Sequence, residues 1–373
     1  MKIAFKKSTL AIATLSGTII GVGIFSLPYI TARVGFGLMF LYLFVLTVLV
    51  TLIHLCFSEV ALKTPDFLRL PGYAKVHLGN WGKMAATVIA IFGSVGALLA
   101  YIIIGGGFLA NLLVPVLGGS VFLYTILYFI LGAFFIFWGI KAISKIEFWG
   151  LVLFFLSLLF ILWRGLPFFE IKNLPFQFVN NLGDLFLPYG PILFALWGAT
   201  MIPEVEEMLG HDKKTIKKVV AIASIIPVIF YLLFIVLVVS ISGSATSTEA
   251  ILGLKNVLGQ KVASIMFFVG FLVTFTSFIT IGLTLKKVFW YDLKMPHYFS
   301  WVLACSLPFL LYLLGFQDFI KVVGLVGGAM LAFEGVLILL MYQKIKQGRA
   351  KFFVRPLILI FLIGIIYEII YFF

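Results

Sequence analysis

The chain has 373 residues, of which 63% are hydrophobic and 11% charged, and it carries a formal net charge of +13. Ordinary globular domains are roughly 45–50% apolar and about 25% charged, and so few polar residues could not cover the surface of a soluble fold. The composition excludes a soluble enzyme, a disordered tail and a disulfide-stapled secreted domain. It indicates a polytopic helical membrane protein, and the continuous, non-alternating apolar stretches exclude an outer-membrane barrel.

Eleven transmembrane helices are predicted, because a bilayer core of about 30 Å needs about 20 apolar helical residues. The predicted spans 1 to 11 cover residues 8–33, 36–61, 84–113, 119–140, 146–166, 185–209, 219–242, 262–286, 299–315, 319–342 and 355–373. No segment has the composition of a soluble domain, so we expect residues 1–373 to form one transmembrane domain.

Lysine and arginine in the connections predict the orientation, since cytoplasmic loops carry an excess of both. With the N-terminus inside, 21 of the 27 Lys and Arg residues fall on the inner side. This distribution predicts a multi-pass protein of the cytoplasmic membrane with its N-terminus inside and its C-terminus outside. The charges are spread over short connections and do not cluster on one face as in nucleic-acid binding. We therefore expect membrane lipid, and no nucleic acid, as a partner.

Span 1 contains three glycines within seven residues, in the run from Ser16 to Tyr29. Each glycine weakens a helix by roughly 1 kcal/mol relative to alanine, and a break leaves carbonyl groups and N–H groups of opposite partial charge. Such a break suits a zwitterion, with the carboxylate on the N–H groups of Gly21, Val22 and Gly23 and the ammonium on carbonyls near Ile19. The alternative is that the glycines allow close helix packing.

Span 6 is interrupted at the same depth by Gly198, Thr200 and Pro203. Proline removes a backbone donor and clashes with the preceding turn. Interrupted segments five helices apart are typical of an inverted five-plus-five repeat, in which both breaks meet at the membrane midplane. The predicted units are repeat one (about 8–166), repeat two (about 185–342) and an extra helix (355–373).

The run Gly17-Thr-Ile-Ile-Gly-Val-Gly-Ile-Phe-Ser-Leu-Pro28 resembles the first-helix signature of the amino acid–polyamine–organocation superfamily. Its two ends are most similar to the hydroxy/aromatic amino acid permeases. The stretch Arg69-Leu-Pro-Gly-Tyr-Ala-Lys75 is similar to the amino acid/auxin permease family. The resemblance implies an all-α, leucine-transporter-type fold with helices 1 and 6 broken, and transport by alternating access.

The resemblance also implies individual roles. The substrate-binding residues that it implies are Ile19, Gly21, Val22, Gly23, Trp197, Gly198 and Thr200. Among these, Ile19 matches a carbonyl that receives the substrate ammonium, and Trp197 matches an aromatic gate over the substrate. Glu204 falls near a family glutamate, but the intervening Pro203 shifts the register and leaves its role open.

Uphill transport in this superfamily is driven by Na⁺ or H⁺, and the sequence leaves both open. In sodium-coupled relatives the cation lies between first-helix carbonyls, here Gly17 and Ile20, and eighth-helix hydroxyls, here Thr276 and Ser277. Oxygen ligands suit a hard cation. The alternative is that these hydroxyls bond only to carbonyls of their own helix.

A proton route needs another ionisable group. Some proton-coupled relatives use a fifth-helix lysine, but that position falls near Phe154, and the stretch Ile146–Leu162 contains no lysine. Glu334, midway along span 10, is the best candidate, because an intramembrane carboxylate is costly and usually functional. The alternative is a protonated glutamate hydrogen-bonded to a neighbouring helix. We expect His54 to be structural, and no role is assigned to Glu368.

These features predict a secondary active transporter that moves a neutral or aromatic amino acid by cation-coupled symport, without a cofactor. Trp197 and a phenylalanine-rich interior fit an aromatic or large neutral substrate. One rival is a membrane-embedded lipid-linked transferase, which would need His, Asp or Arg clustered at a membrane face. The other is a transporter for another small organic solute. Because the sequence contains no phosphate loop, metal-ligand cluster or nucleophile triad, we do not expect an enzyme.

Overall fold

The computed structural model describes residues 7–66, 68–139, 143–176, 182–210, 212–346 and 350–372. In this part of the chain there are helices and no β-strand. The α-helices are α1 (Lys7–Ile19), α2 (Leu27–Val34), α3 (Phe36–Leu62), α4 (Leu70–Leu117), α5 (Val121–Trp138), α6 (Ile143–Gly165), α7 (Tyr189–Leu196), α8 (Ile202–Leu209), α9 (Lys213–Ser242), α10 (Ile251–Leu258), α11 (Gln260–Lys287), α12 (His297–Leu313), α13 (Phe319–Leu325), α14 (Ala332–Ile345) and α15 (Ala350–Phe372). The last residues of the predicted spans 4 and 11 lie outside the described ranges.

Helical segments stand at the positions of all eleven predicted spans. In the described residues, seven helices are long and apolar enough to cross a membrane, and the bent pair at span 1 would be an eighth. Span 5 corresponds to α6, which has 23 residues, and span 9 corresponds to a shorter apolar helix, His297–Leu313. Span 6 is divided between α7 and α8, which have eight residues each. The predicted all-α membrane fold is confirmed, while the residue bounds of the two repeats stay a prediction.

Helix α4 extends well before the predicted start of span 3. It begins at Leu70 and bends at Gly79, whose φ of +79° disfavours any residue with a Cβ. Arg69, directly before this segment, forms a 2.8 Å ion pair with Glu204 on α8. The stretch that resembles the amino acid/auxin permeases is therefore a short helical arm on the second half of span 6.

Glycines allow close helix contacts where the sequence contains small-residue clusters. A Cβ on Gly106 would lie 2.8 Å from the Cβ of Thr125 on α5. Span 10 contains a π-helical segment, Val326–Leu331, between α13 and α14. Within it, a Cβ on Gly327 would meet the carbonyl oxygen of Gly190 and would lie 2.7 Å from the backbone nitrogen of Phe194 on α7. Spans 10 and 6 thus pack backbone against backbone.

We expect Gly327→Ala to destabilise the protein by about 1–3 kcal/mol, the usual cost of overpacking a well-packed interior. The added methyl group would push α7 away from the π-helical segment. Thermal unfolding of the purified protein in detergent measures the effect. Gly107→Ala is the matched control, because a Cβ at this helical position has no atom within 4 Å. Equal melting temperatures for the two variants would contradict the backbone contact.

Candidate functional site: two helix breaks and their partners

Span 1 is broken between α1 and α2. Helix α1 ends at Ile19, Gly21 is extended (φ −112°, ψ −152°), and Val22–Ser26 forms a 3-10 turn. The two halves of the span are bent by 45°. Residues 19–28 are all buried, so the unwound backbone lies inside the protein, where a broken membrane helix is tolerated. The predicted break is confirmed.

Span 6 is broken in a similar way. Trp197, directly after α7, is extended (φ −77°, ψ 125°), and Ala199–Met201 forms a 3-10 turn before α8. Pro203 lies in the first turn of α8, where its missing N–H leaves no intrahelical bond unmade. The proline therefore lies at the beginning of the second half of the span. The sequence predicts a clash with a preceding helical turn, but no helical turn precedes Pro203 within α8.

The two breaks contact each other. A Cβ on Gly23 would lie 2.8 Å from the Cα of Ala195, and a Cβ on Gly198 would lie 2.6 Å from the Cγ1 of Ile19. Each glycine therefore allows the other span to approach more closely than a side chain would permit. The structure thus brings residues from both breaks together at one place, and their role in substrate binding stays a prediction.

Two tyrosine hydroxyls meet backbone polar groups at these breaks. The hydroxyl of Tyr231 on α9 shares its one proton between the carbonyl oxygens of Ile19, at 2.9 Å, and Ala195, at 2.6 Å. The hydroxyl of Tyr101 on α4 accepts a hydrogen bond from the N–H of Val22 at 3.3 Å. The carbonyl of Ile19 and the N–H of Val22 are the groups that the sequence assigns to the substrate ammonium and carboxylate.

Neither tyrosine is selected by sequence reasoning. The signal present in the sequence is a tyrosine inside an apolar span, whose hydroxyl must find a hydrogen-bond partner away from water. Which group it meets depends on how α4 and α9 pack around span 1, and no local pattern contains that information.

His54 on α3 supports the break of span 6. Its Nε2 accepts a hydrogen bond from the N–H of Gly198 at 3.1 Å. Because Nε2 accepts, the ring proton lies on Nδ1 and is donated to the Oγ of Ser224 on α9, at 2.9 Å. The histidine thus connects spans 2 and 7 to an otherwise unpaired amide at the break. The sequence predicts a structural role for His54. In the structure, its hydrogen bond to Gly198 lies at the break of span 6, within the candidate site.

Trp197 and Glu334 form the other polar contact at this break. The indole Nε1 of Trp197 donates to the Oε2 of Glu334 at 3.1 Å. Glu334 is 4% exposed, and its Oε1 has no hydrogen-bond partner among the described residues. The carboxyl is therefore hydrogen-bonded to a neighbouring span, which agrees with a structural role. It also retains one oxygen that can bind a proton, which a role in proton coupling requires. Both interpretations stay open.

The four residues proposed for a cation lie around one small cavity. Its lining consists of Gly17, Ile20, Gly150, Phe154, Val273, Thr276 and Ser277, and its volume is about 10 Å³. A cavity of this size holds about one water-sized particle. The Oγ1 of Thr276 donates to the carbonyl of Val273 at 3.0 Å, which still leaves oxygen lone pairs for a cation. The structure thus brings this set together, whereas cation binding stays a prediction.

Two further residues of span 6 that the sequence singles out are Thr200 and Glu204. Thr200 is exposed, and its role in substrate binding stays a prediction. Glu204 points to Arg69 at 2.8 Å, so its observed contact is with the arm before span 3. The role of Glu204 in transport, which the sequence leaves open, is not assigned by this contact.

Comparison with known proteins gives the family and the fold. A profile of the tryptophan/tyrosine permease family matches residues 5–371, and the search of curated proteins gave no match. The structure is similar to MhsT in complex with L-phenylalanine (TM-score 0.61, 16% identity, 99% of each chain covered). It is also similar to Mhp1, a nucleobase-cation-symport-1 family transporter in a closed conformation with bromovinylhydantoin bound (TM-score 0.71, 11% identity, 97% of this chain and 90% of that one). At these identities the likeness shows the leucine-transporter-type fold.

We expect Gly23→Val to abolish amino acid uptake without preventing membrane insertion. Its side chain would collide with Ala195 and force the two breaks apart, which would displace the N–H groups of span 1. Uptake into vesicles, normalised to the amount of inserted protein, measures the effect. Gly37→Val is the control, since a Cβ there has no atom within 4 Å. Normal uptake by Gly23→Val would contradict the assignment of the break in span 1 to the substrate-binding site.

Proposed function

We propose, since this chain belongs to the tryptophan/tyrosine permease family, that it carries an aromatic amino acid across the cytoplasmic membrane by alternating access. Family membership makes it an amino acid permease, and the many apolar helices make it a multi-pass membrane protein. We propose three further points: an aromatic amino acid as the substrate, coupling to a cation, and an orientation with the N-terminus inside.

The zwitterionic end of the substrate binds at the two breaks. The observation that supports this proposal most directly is the pair of tyrosine contacts. Both hydroxyls form hydrogen bonds with backbone groups that could equally bind the charged ends of a zwitterion. A carboxylate is a stronger acceptor than a phenol for the N–H of Val22, and it can in turn accept from the hydroxyl of Tyr101. An ammonium group replaces the donor that Tyr231 supplies to Ile19.

The aromatic side chain of the substrate fits the surroundings of the first break. Phe25, in the 3-10 turn of span 1, makes edge-to-face contacts with Phe108 at 4.9 Å and with Phe234 at 5.9 Å between ring centroids. Such arrangements favour a further aromatic ring over a polar side chain. The structurally similar MhsT was solved with L-phenylalanine, which agrees with a substrate of this class.

The cation cavity is the coupling site in this proposal. Carbonyls of Gly17 and Ile20 and hydroxyls of Thr276 and Ser277 offer the oxygen ligands that a hard cation such as Na⁺ prefers. The cavity lies beside the end of α1, so cation binding would stabilise the broken conformation of span 1. The second candidate is proton coupling through Glu334, which is favoured by its unpaired Oε1 and its contact with Trp197.

Uptake of labelled aromatic amino acids into proteoliposomes, with sodium and pH gradients imposed separately, tests the proposal. Accumulation driven by the sodium gradient alone would support the cavity and exclude Glu334 as the coupling group. Accumulation driven by the pH gradient alone would do the reverse. An absence of uptake under both gradients, with folded protein, would contradict cation-coupled symport of this substrate class.

We expect the double variant Thr276→Ala, Ser277→Ala to lose sodium dependence or activity, because two of four oxygen ligands are removed. Uptake as a function of sodium concentration measures the change. The control is Thr284→Ala on the same helix, whose hydroxyl is exposed and bonds back to Thr280. Unchanged sodium and pH dependence in the double variant would mean that the pair is only structural.

A further inference from the structure

The last helix carries a buried carboxylate to which the transport site gives no role. Glu368 on α15 is 3% exposed, and its Oε1 accepts a hydrogen bond from the N–H of Gly190 at 3.0 Å. Gly190 is the second residue of α7, the first half of the broken span 6. Glu368 therefore caps the N-terminal end of α7, where N–H groups lack intrahelical partners and carry partial positive charge.

Three glycines make room for this side chain. A Cβ on Gly324 would lie 3.1 Å from the Oε2 of Glu368, and a Cβ on Gly328 or on Gly190 would lie 2.8 Å from its Cδ. These glycines belong to α13, to the π-helical segment of span 10 and to α7. The carboxylate is thus enclosed by the backbone of spans 6 and 10, so a change at Glu368 acts directly on the contact between them.

The charge of Glu368 is balanced by the helix end and not by a basic side chain. Among the described residues, no Lys, Arg or His forms an ion pair with it. The titratable groups on the elements packed around it are Tyr189 on α7, Tyr367 and Tyr371 on α15, Lys321 on α13, Glu334, Tyr342 and Lys344 on α14, and Tyr42 on α3 behind Tyr189. An ionised carboxylate bonds an amide more strongly than a protonated one, so a proton on Glu368 weakens the cap.

Movement of α7 reaches the candidate site directly. Ala195, near the end of α7, offers one of the two carbonyls that Tyr231 contacts, and Trp197 follows the helix and contacts Glu334. A shift at the capped end of this eight-residue helix is therefore transmitted along its axis to the break.

We propose that Glu368 is a positioning residue that holds α7, and with it the break of span 6, and that proton binding to Glu368 releases this hold during transport. The proposal rests on the proposed transport function, but it does not depend on which cation is coupled. It makes α15, the helix of span 11, part of the structure that moves during transport.

The test compares two variants that separate charge from hydrogen bonding. Glu368→Gln keeps an acceptor oxygen for Gly190 but cannot change its charge. We expect it to fold and to have a KM for the amino acid that no longer varies over the pH range in which the wild-type KM varies. Glu368→Asp keeps the charge but is one methylene too short for the N–H of Gly190, and we expect its KM to rise about tenfold, as for loss of a hydrogen bond to a charged group.

Uptake into proteoliposomes at a series of pH values, with KM and kcat determined separately, provides the readout. Glu170→Gln is the control, because this carboxylate is exposed and pairs with Lys172 at 3.0 Å; its pH profile should match that of the wild type. Uptake by the wild type tests the proposed function, whereas only the comparison of variants bears on Glu368. A Gln variant with wild-type KM, kcat and pH profile would overturn the proposal. Loss of both the Gln and the Asp variant from the membrane would also overturn it, since it would mark a role in folding alone.

Discussion

The structure depends on one constraint, which is that backbone groups released by a break in a membrane helix need hydrogen-bond partners inside the protein. Both broken spans meet this requirement with side chains from other helices. Tyr231 serves the carbonyls of Ile19 and Ala195, Tyr101 serves the N–H of Val22, and His54 serves the N–H of Gly198. The partners come from spans 2, 3 and 7, so these helices must pack around the breaks in one arrangement. In the proposed function, a bound zwitterion takes the place of the tyrosine partners that these backbone groups already have.

Ion pairs at the ends of the broken spans anchor the half-helices separately. Arg33 at the end of α2 pairs at 2.8 Å with Asp184, which precedes α7, and Arg69 pairs with Glu204 on α8. Elsewhere, Glu59 on α3 pairs with Lys217 and with Lys346. Each half of span 6 therefore has an ion pair of its own.

The sequence predicts those parts of the fold that depend on local chemistry. Apolar length gives the spans, and glycine and proline mark both breaks, because these residues change the backbone wherever they occur. The cation set is also brought together as the resemblance implies. What the sequence does not predict depends on contacts between distant helices. Tyr101 and Tyr231 look like ordinary apolar-span tyrosines, Glu368 looks like a residue near the end of the last span, and Thr200 proves to be exposed. The role of His54 becomes visible only when Gly198, 144 residues away, is seen to donate to it.

The most direct test of this account is competition binding of a labelled aromatic amino acid, such as tryptophan, to the purified protein. The competitors are the two analogues that lack one charged end, tryptamine without the carboxylate and indolepropionate without the ammonium. If the backbone released at the break of span 1 binds the zwitterion, each analogue should compete far more weakly than tryptophan itself, because it leaves either the N–H of Val22 or the carbonyl of Ile19 without its charged partner. Competition by either analogue as effective as that by tryptophan would contradict the claim that backbone groups at the helix break bind both charged ends of the substrate.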